Sequence, residues 1–159
     1  MGWNDRTQVK KGDIGEEIIF KYLEENNYIV YPTISEGSHP FDGFAYKNKE
    51  LFMFDVKTKA RMNKCNCTGF DYKHYKLYIQ IAKKYNSPFY VYFVDDKNGN
   101  VHMADILKLE KVERTKMQYF TRSIIGWDLS LLDFLFKIGK DKIQKLTQFD
   151  TRKHKYKPK

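Results

Sequence analysis

Within the stretch His39 to Arg61, HPFDGFAYKNKELFMFDVKTKAR, three residues could do chemistry together: Asp42, Asp55 and Lys57. Two apolar runs, Phe41 to Tyr46 and Leu51 to Val56, flank the polar turn Lys47-Asn48-Lys49-Glu50, which predicts a β-hairpin. Strand side chains alternate between faces, so Leu51, Met53, Asp55 and Lys57 share one side, and Phe52, Phe54 and Val56 the other. The second side is wholly aromatic or β-branched and is expected to be buried. Asp55 and Lys57 then emerge side by side at the end of an anchored strand. Asp42 opens the partner strand, and a hairpin brings strand start and strand end together. Two carboxylates and one ammonium in a small volume invite a divalent cation.

The elements that must position these groups follow from the whole chain. A length of 159 residues suits one domain with a sizeable core, and 42% hydrophobic with 16% aromatic residues makes it globular. Lys and Arg number 29 against 20 Asp and Glu, a net charge of +9. That excess favours a polyanion, nucleic acid first and an acidic membrane surface second, although a solvated basic surface gives the same count. No apolar run approaches the roughly 18 residues of a membrane span, so a soluble chain is expected. The start MGWNDRTQVKKGD has no apolar signal core, and Arg6 stands where a myristoylation signal needs Ser or Thr. The cytoplasm is the expected compartment. Cys65-Asn66-Cys67 with His74 lacks the second ligand pair of a structural zinc site, so reduced thiols in a loop are expected.

Residues 1–11 read as a polar, basic N-terminal arm. Asp13 is placed to cap a helix from Ile14 to Glu25, whose Ile14, Ile18, Ile19, Tyr22 and Leu23 form a buried stripe. Glu16 lies at the edge of that stripe and can look inward, whereas Glu17, Glu24 and Glu25 look solvated. Taken alone, Glu16 is an ordinary first-turn acid favoured by the helix dipole. A strand at Tyr28 to Tyr31, the hairpin, a basic loop from Thr58 to Asp71 and a helix from Tyr72 to Tyr85 follow. Phe89 to Val94 reads as a central strand and Val101 to Ala104 as a short returning one. Asp105 to Thr121 is mixed, with a strand at Met117 to Phe120, and Leu129 to Ile138 reads as a packed helix ended by Gly139. Residues 12–138 are thus one domain, and 139–159 a basic, mobile tail.

Glu16 on the first helix, Asp42 in Pro40-Phe41-Asp42, and Asp55-Val56-Lys57 together resemble the PD-(D/E)xK nuclease superfamily. The opening Gly12-x-x-Gly15-Glu16, with Leu23 and Tyr28, looks like the archaeal Holliday-junction resolvases and a related group of small bacterial nuclease-like proteins. The likeness spans residues 12–105; Asp55 stands where Glu is commoner, and Phe41 separates Pro40 from Asp42. It implies an α/β, restriction-endonuclease-like core of order αβββαβ, a central mixed sheet flanked by helices, with C-terminal additions.

The resemblance also implies a metal-dependent endonuclease acting on DNA, branched or otherwise structured DNA included. Phosphodiester hydrolysis needs a charge clamp for the transition state and a deprotonated water in line with the leaving oxygen. Asp42 and Asp55 suit Mg²⁺, with Mn²⁺ as a substitute. The Val56 carbonyl is a further ligand that the resemblance implies. Lys57 can hold or activate the attacking water, and Glu16 can act through water or on a second ion. Lys59, Arg61 and Lys73 are placed to bind nucleic acid. His39 is a rival base, although a His beside Pro in a loop is more often incidental; Tyr75 and Gln80 on the following helix could face the site, but core packing for Tyr75 and a solvated face for Gln80 are the expected readings. The competing reading is a non-catalytic nucleic-acid-binding module on the same fold. DNA is favoured over RNA as partner, no membrane is expected, and a homodimer stays open.

Overall fold

The structure, a computed structural model, describes residues 6–33, 39–59, 65–119 and 122–149, and of 115–119 and 122 the backbone only. The elements run α1 (Thr7–Glu25), β1 (Ile29–Pro32), β2 (Gly43–Lys47), β3 (Glu50–Thr58), β4 (Cys67–Asp71), α2 (Tyr72–Tyr85), β5 (Phe89–Val94), β6 (Asn100–Asp105) and α3 (Ile106–Lys111). There follow β7 (Thr115–Tyr119), β8 (Arg122–Asp128), a 3₁₀ turn (Leu129–Leu131), β9 (Asp133–Lys137) and α4 (Lys140–Gln148). Six strands make the main sheet in the order β1-β2-β3-β5-β6-β9, and β4-β8-β7 make a smaller one. Among the described residues the one parallel pairing of the main sheet is β3 with β5; all others are antiparallel.

The hairpin forms where its residues demand it. Lys47 pairs with Glu50, and Asn48 and Lys49 take φ of 52° and 68°. This is a two-residue loop whose left-handed pair matches strand twist. Both faces of β3 are then covered. Phe52, Phe54 and Val56 pack with Ile18, Ile19 and Leu23 of α1. Met53, on the opposite face, joins Tyr75, Tyr78, Ile79 and Ala82 of α2. The α2 crossover between the parallel strands puts a helix over the face that carries Asp55 and Lys57. Those two residues therefore sit under a roof rather than on an open surface.

Several expectations are corrected. The segment Thr7–Lys11 is not an arm but the first turns of α1, and Arg6, not Asp13, is the residue before the helix. An ion pair from Lys11 to the buried Asp96 fastens these turns to the β5–β6 loop. Leu129 to Ile138 is a 3₁₀ turn followed by β9, not a helix. An apolar run of that length is ambiguous by period, and the free edge of β6 captures it as a strand. The expected tail begins with α4, held to α1 by Lys142–Glu17 at 3.0 Å; residues 150–159 lie outside the described residues. The loop after β3 ends early, because Cys67–Asp71 pairs with β8. Cys65 and Cys67, expected as reduced thiols, are joined as a disulfide, their Cα atoms 5.2 Å apart within ordinary reach. Among the described residues no helix is long and apolar enough to cross a membrane.

Candidate active site

Asp42 directly precedes β2, and its amide donates to the Phe54 carbonyl at 3.0 Å, extending the ladder by one residue. Gly43 pairs with Phe54, so Asp42 stands where β2 begins, beside the end of β3 that carries Asp55. Thr33 fixes the approach, its hydroxyl donating to the carbonyls of Phe41 and Asp42 at 3.0 Å each. The Asp42 carboxylate turns onto the strand end, where Oδ2 accepts from the Val56 amide at 2.7 Å.

Asp55 is 4% exposed. Its Oδ2 meets Lys57 Nζ at 2.6 Å, yet no donor is aligned with that oxygen for a hydrogen bond. Lys57 Nζ in turn donates to the Tyr78 hydroxyl at 2.9 Å. Tyr78 is fully buried on α2, stacked on Phe89 with ring centres 4.6 Å apart and on His74 at 6.1 Å. The Lys57 ammonium thus rests between a carboxylate, a phenol hydroxyl and the Phe70 ring, whose centre is 5.8 Å away.

Glu16 is half-buried on the tenth residue of α1, so it is no first-turn acid. The helix comes this close because Gly15 carries no side chain: a Cβ there would stand 1.8 Å from Thr58 Oγ1. Burial raises the Glu16 carboxyl above its usual range, and the charges of Asp13 and Asp55 add to this while Lys57 opposes it. Asp42 feels the same field more strongly. Burial first, then Asp55 and Glu16, push it up to about 8, against the Val56 hydrogen bond and Lys57. Burial and Lys57 lower the His74 imidazole, while Asp55 and Asp71 act to raise it. Three acids, one ammonium and an imidazole therefore share one electrostatic neighbourhood.

The donor set suits a hard cation. Mg²⁺ commonly takes one or two protein carboxylates and completes its shell with water and substrate oxygens. Asp42 and Asp55 supply two, and the buried Asp55 Oδ2 without an aligned donor is an acceptor such an ion would satisfy. Among the described residues no three His, Cys, Asp or Glu side chains are grouped tightly enough to chelate a metal by themselves.

Of the other expected residues, Lys59 follows β3, its amide bonded to the Val94 carbonyl at 3.0 Å, and its side chain lines a nook with Thr68, Asp95 and His102. Lys73 is exposed on the first turn of α2. Arg61 lies outside the described residues. His39 is half-buried beside Pro40. The site-facing group on α2 is Tyr78, not Tyr75 or Gln80. Tyr75 packs on Trp127 and accepts from Arg114 at 2.8 Å, and Gln80 is exposed. A signal for Tyr78 was present in the sequence. It lies on the same helical stripe as Tyr75, Ile79 and Ala82, and a buried phenol needs a polar partner.

No protein-family model matches the chain, and no curated protein matches it in sequence. Solved structures do match. Hjc of Archaeoglobus fulgidus, a Holliday junction resolvase from an archaeal hyperthermophile, overlays with a TM-score of 0.53 at 12% identity, covering 76% of this chain and 90% of the resolvase. A nuclease from a fusselovirus gives a TM-score of 0.46 at 12% identity, covering 84% of this chain and 88% of the viral one. The chain has the restriction-endonuclease-like fold, with a mostly antiparallel central sheet flanked by helices. The resemblance read from Glu16, Asp42 and Asp55-Val56-Lys57 is matched by that fold.

Proposed function

We propose that this chain, on the fold it shares with an archaeal junction resolvase, is a Mg²⁺-dependent endonuclease that hydrolyses phosphodiester bonds in DNA. One observation carries the reading: Asp42, Asp55 and Lys57 meet at the end of β3, with the ammonium 2.6 Å from the Asp55 carboxylate. A module that only binds nucleic acid gains nothing from buried carboxylates that repel phosphate.

Asp42, Asp55 and the Val56 carbonyl are the groups that would hold the ion. When bound, Mg²⁺ supplies the positive charge that stabilises the transition state and acidifies water, and Mn²⁺ can replace it. Lys57 directs the attacking water and offsets charge developing on the phosphate. Glu16, at the rim, orients water through its half-buried carboxyl. The DNA backbone is gripped by Lys59 and Lys73, together with Arg61 beyond the described residues.

Plasmid, linear duplex and four-way junction DNA should be incubated with Mg²⁺, Mn²⁺ or EDTA, beside Lys57→Ala and Asp55→Ala. Cutting should need metal, and each variant should lose at least about a thousandfold in rate, with duplex affinity kept within about threefold. Cleavage that survives in either variant, or binding lost in both while the fold stays intact, would overturn the assignment. The four-way junction is the substrate the neighbour suggests, and its preference over linear duplex is read in the same assay.

A further inference from the structure

We propose that Tyr78 is a positioning residue that lets Asp55 exchange its contact with Lys57 for a contact with a divalent cation. The inference rests on the metal-dependent reading above. As the structure stands, the Asp55 carboxylate has Lys57 Nζ at 2.6 Å on Oδ2. An ammonium and a doubly charged cation cannot share one carboxylate oxygen at such distances without strong repulsion. For Asp55 to turn to a metal, the ammonium must keep a partner of its own, because the Lys57 side chain is only 17% exposed.

Tyr78 is that partner. Its hydroxyl oxygen accepts from Lys57 Nζ at 2.9 Å. It cannot swing away with Asp55, because the ring is pinned by Phe89 at 4.6 Å, Phe70 at 5.6 Å and His74 at 6.1 Å. One phenol oxygen therefore holds the lysine of the ion pair from a ring that does not move with Asp55. It serves the lysine in both states: while Asp55 holds Lys57, and after Asp55 has turned. Removing the hydroxyl leaves the metal-free state its ion pair but strips the metal-loaded state of the only neutral acceptor described at Lys57.

The test is a double-mutant cycle read by calorimetric titration with Mn²⁺, without nucleic acid. Tyr78→Phe, which keeps the ring contacts, should raise the Mn²⁺ dissociation constant about tenfold, the scale of one hydrogen bond to a charged group. In a Lys57→Met background the same change should leave the constant within about twofold, because no ammonium remains to be held. An equal loss in both backgrounds would make Tyr78 a packing residue and overturn the inference, as would no loss in either. Nuclease assays on the single variant should show a fall in kcat with KM for duplex unchanged. Should Tyr78→Phe fail to fold, the intact protein labelled with ¹⁵N-lysine answers. The Lys57 ammonium signal, assigned against Lys57→Met, should stay protected from exchange after Mg²⁺ is added; loss of that protection would overturn the inference. If the native chain binds no Mn²⁺ at all, the metal-dependent reading falls with it. Native binding that Tyr78→Phe does not alter defeats this inference alone.

Discussion

Asp42 meets two conflicting demands. It closes the strand end by accepting from the Val56 amide, and it must carry charge to hold a cation. Burial and its two acidic neighbours keep it protonated up to about pH 8. The sign of the effect on stability follows from proton counts. The unfolded chain releases this proton near 3.8, the folded chain near 8, so between those values the folded state binds more protons. Stability therefore falls as pH rises through that window, with nothing contributed below it. Asp42→Asn keeps an oxygen for the Val56 amide and removes the titration. In metal-free buffer its melting temperature should match the native chain's at pH 4 and exceed it by about 5 °C at pH 8, equivalent to ~2 kcal/mol. Scanning calorimetry at both values checks this, and an equal offset at both would refute it. By the same count, metal binding at pH 7 should release a proton, seen as a heat that changes with the ionisation enthalpy of the buffer.

At the scale of elements, the depth of α1 against β3 decides where Glu16 ends. Gly15 permits that depth, since a methyl group would meet the Thr58 hydroxyl and crowd its Cβ at 3.0 Å. Gly15→Ala should cost about 1–3 kcal/mol by overpacking, lowering the melting temperature by several degrees. Adding Thr58→Ala should return most of the loss, and no recovery in the double variant would place the clash elsewhere. The hairpin and its acids were legible in the sequence, because register in a two-residue hairpin is local and alternation then assigns faces. Tyr78 was not singled out. Its contact with Lys57 depends on α2 crossing back over β3, a tertiary event that helical spacing alone does not reveal. The stripe on α2 was visible, yet Tyr75 and Tyr78 share it, and only the position of β8 shows that Tyr75 belongs to Trp127. β4 was hidden for a related reason. Cys67–Asp71 is short and polar at its start, and it becomes a strand because β8 pairs with it from more than fifty residues away.

The whole molecule is one six-stranded sheet with α1 and α4 on one side and α2 with the small sheet on the other. With a net charge of +9, a nucleic-acid partner as proposed above would be held mainly through phosphates. Duplex affinity should fall steeply between 50 and 200 mM salt, by about tenfold or more for even a few phosphate contacts. Lys73→Ala should weaken binding about two- to fivefold and reduce the slope of log K against log salt by about one. Fluorescence anisotropy across a salt series measures both. The one parallel pair among the described residues, β3 with β5, has a further consequence, and it concerns time. The β2–β3 hairpin closes over two residues and can form in microseconds, setting Asp42 beside Asp55. The ladder from Met53–Phe89 to Thr58–Val94 waits for everything between Thr58 and Phe89, including β4 and α2. Non-local parallel pairing is slow, so the acids meet early in folding and Tyr78 reaches Lys57 late. On a ribosome, the site is completed only after the crossover has left the exit tunnel.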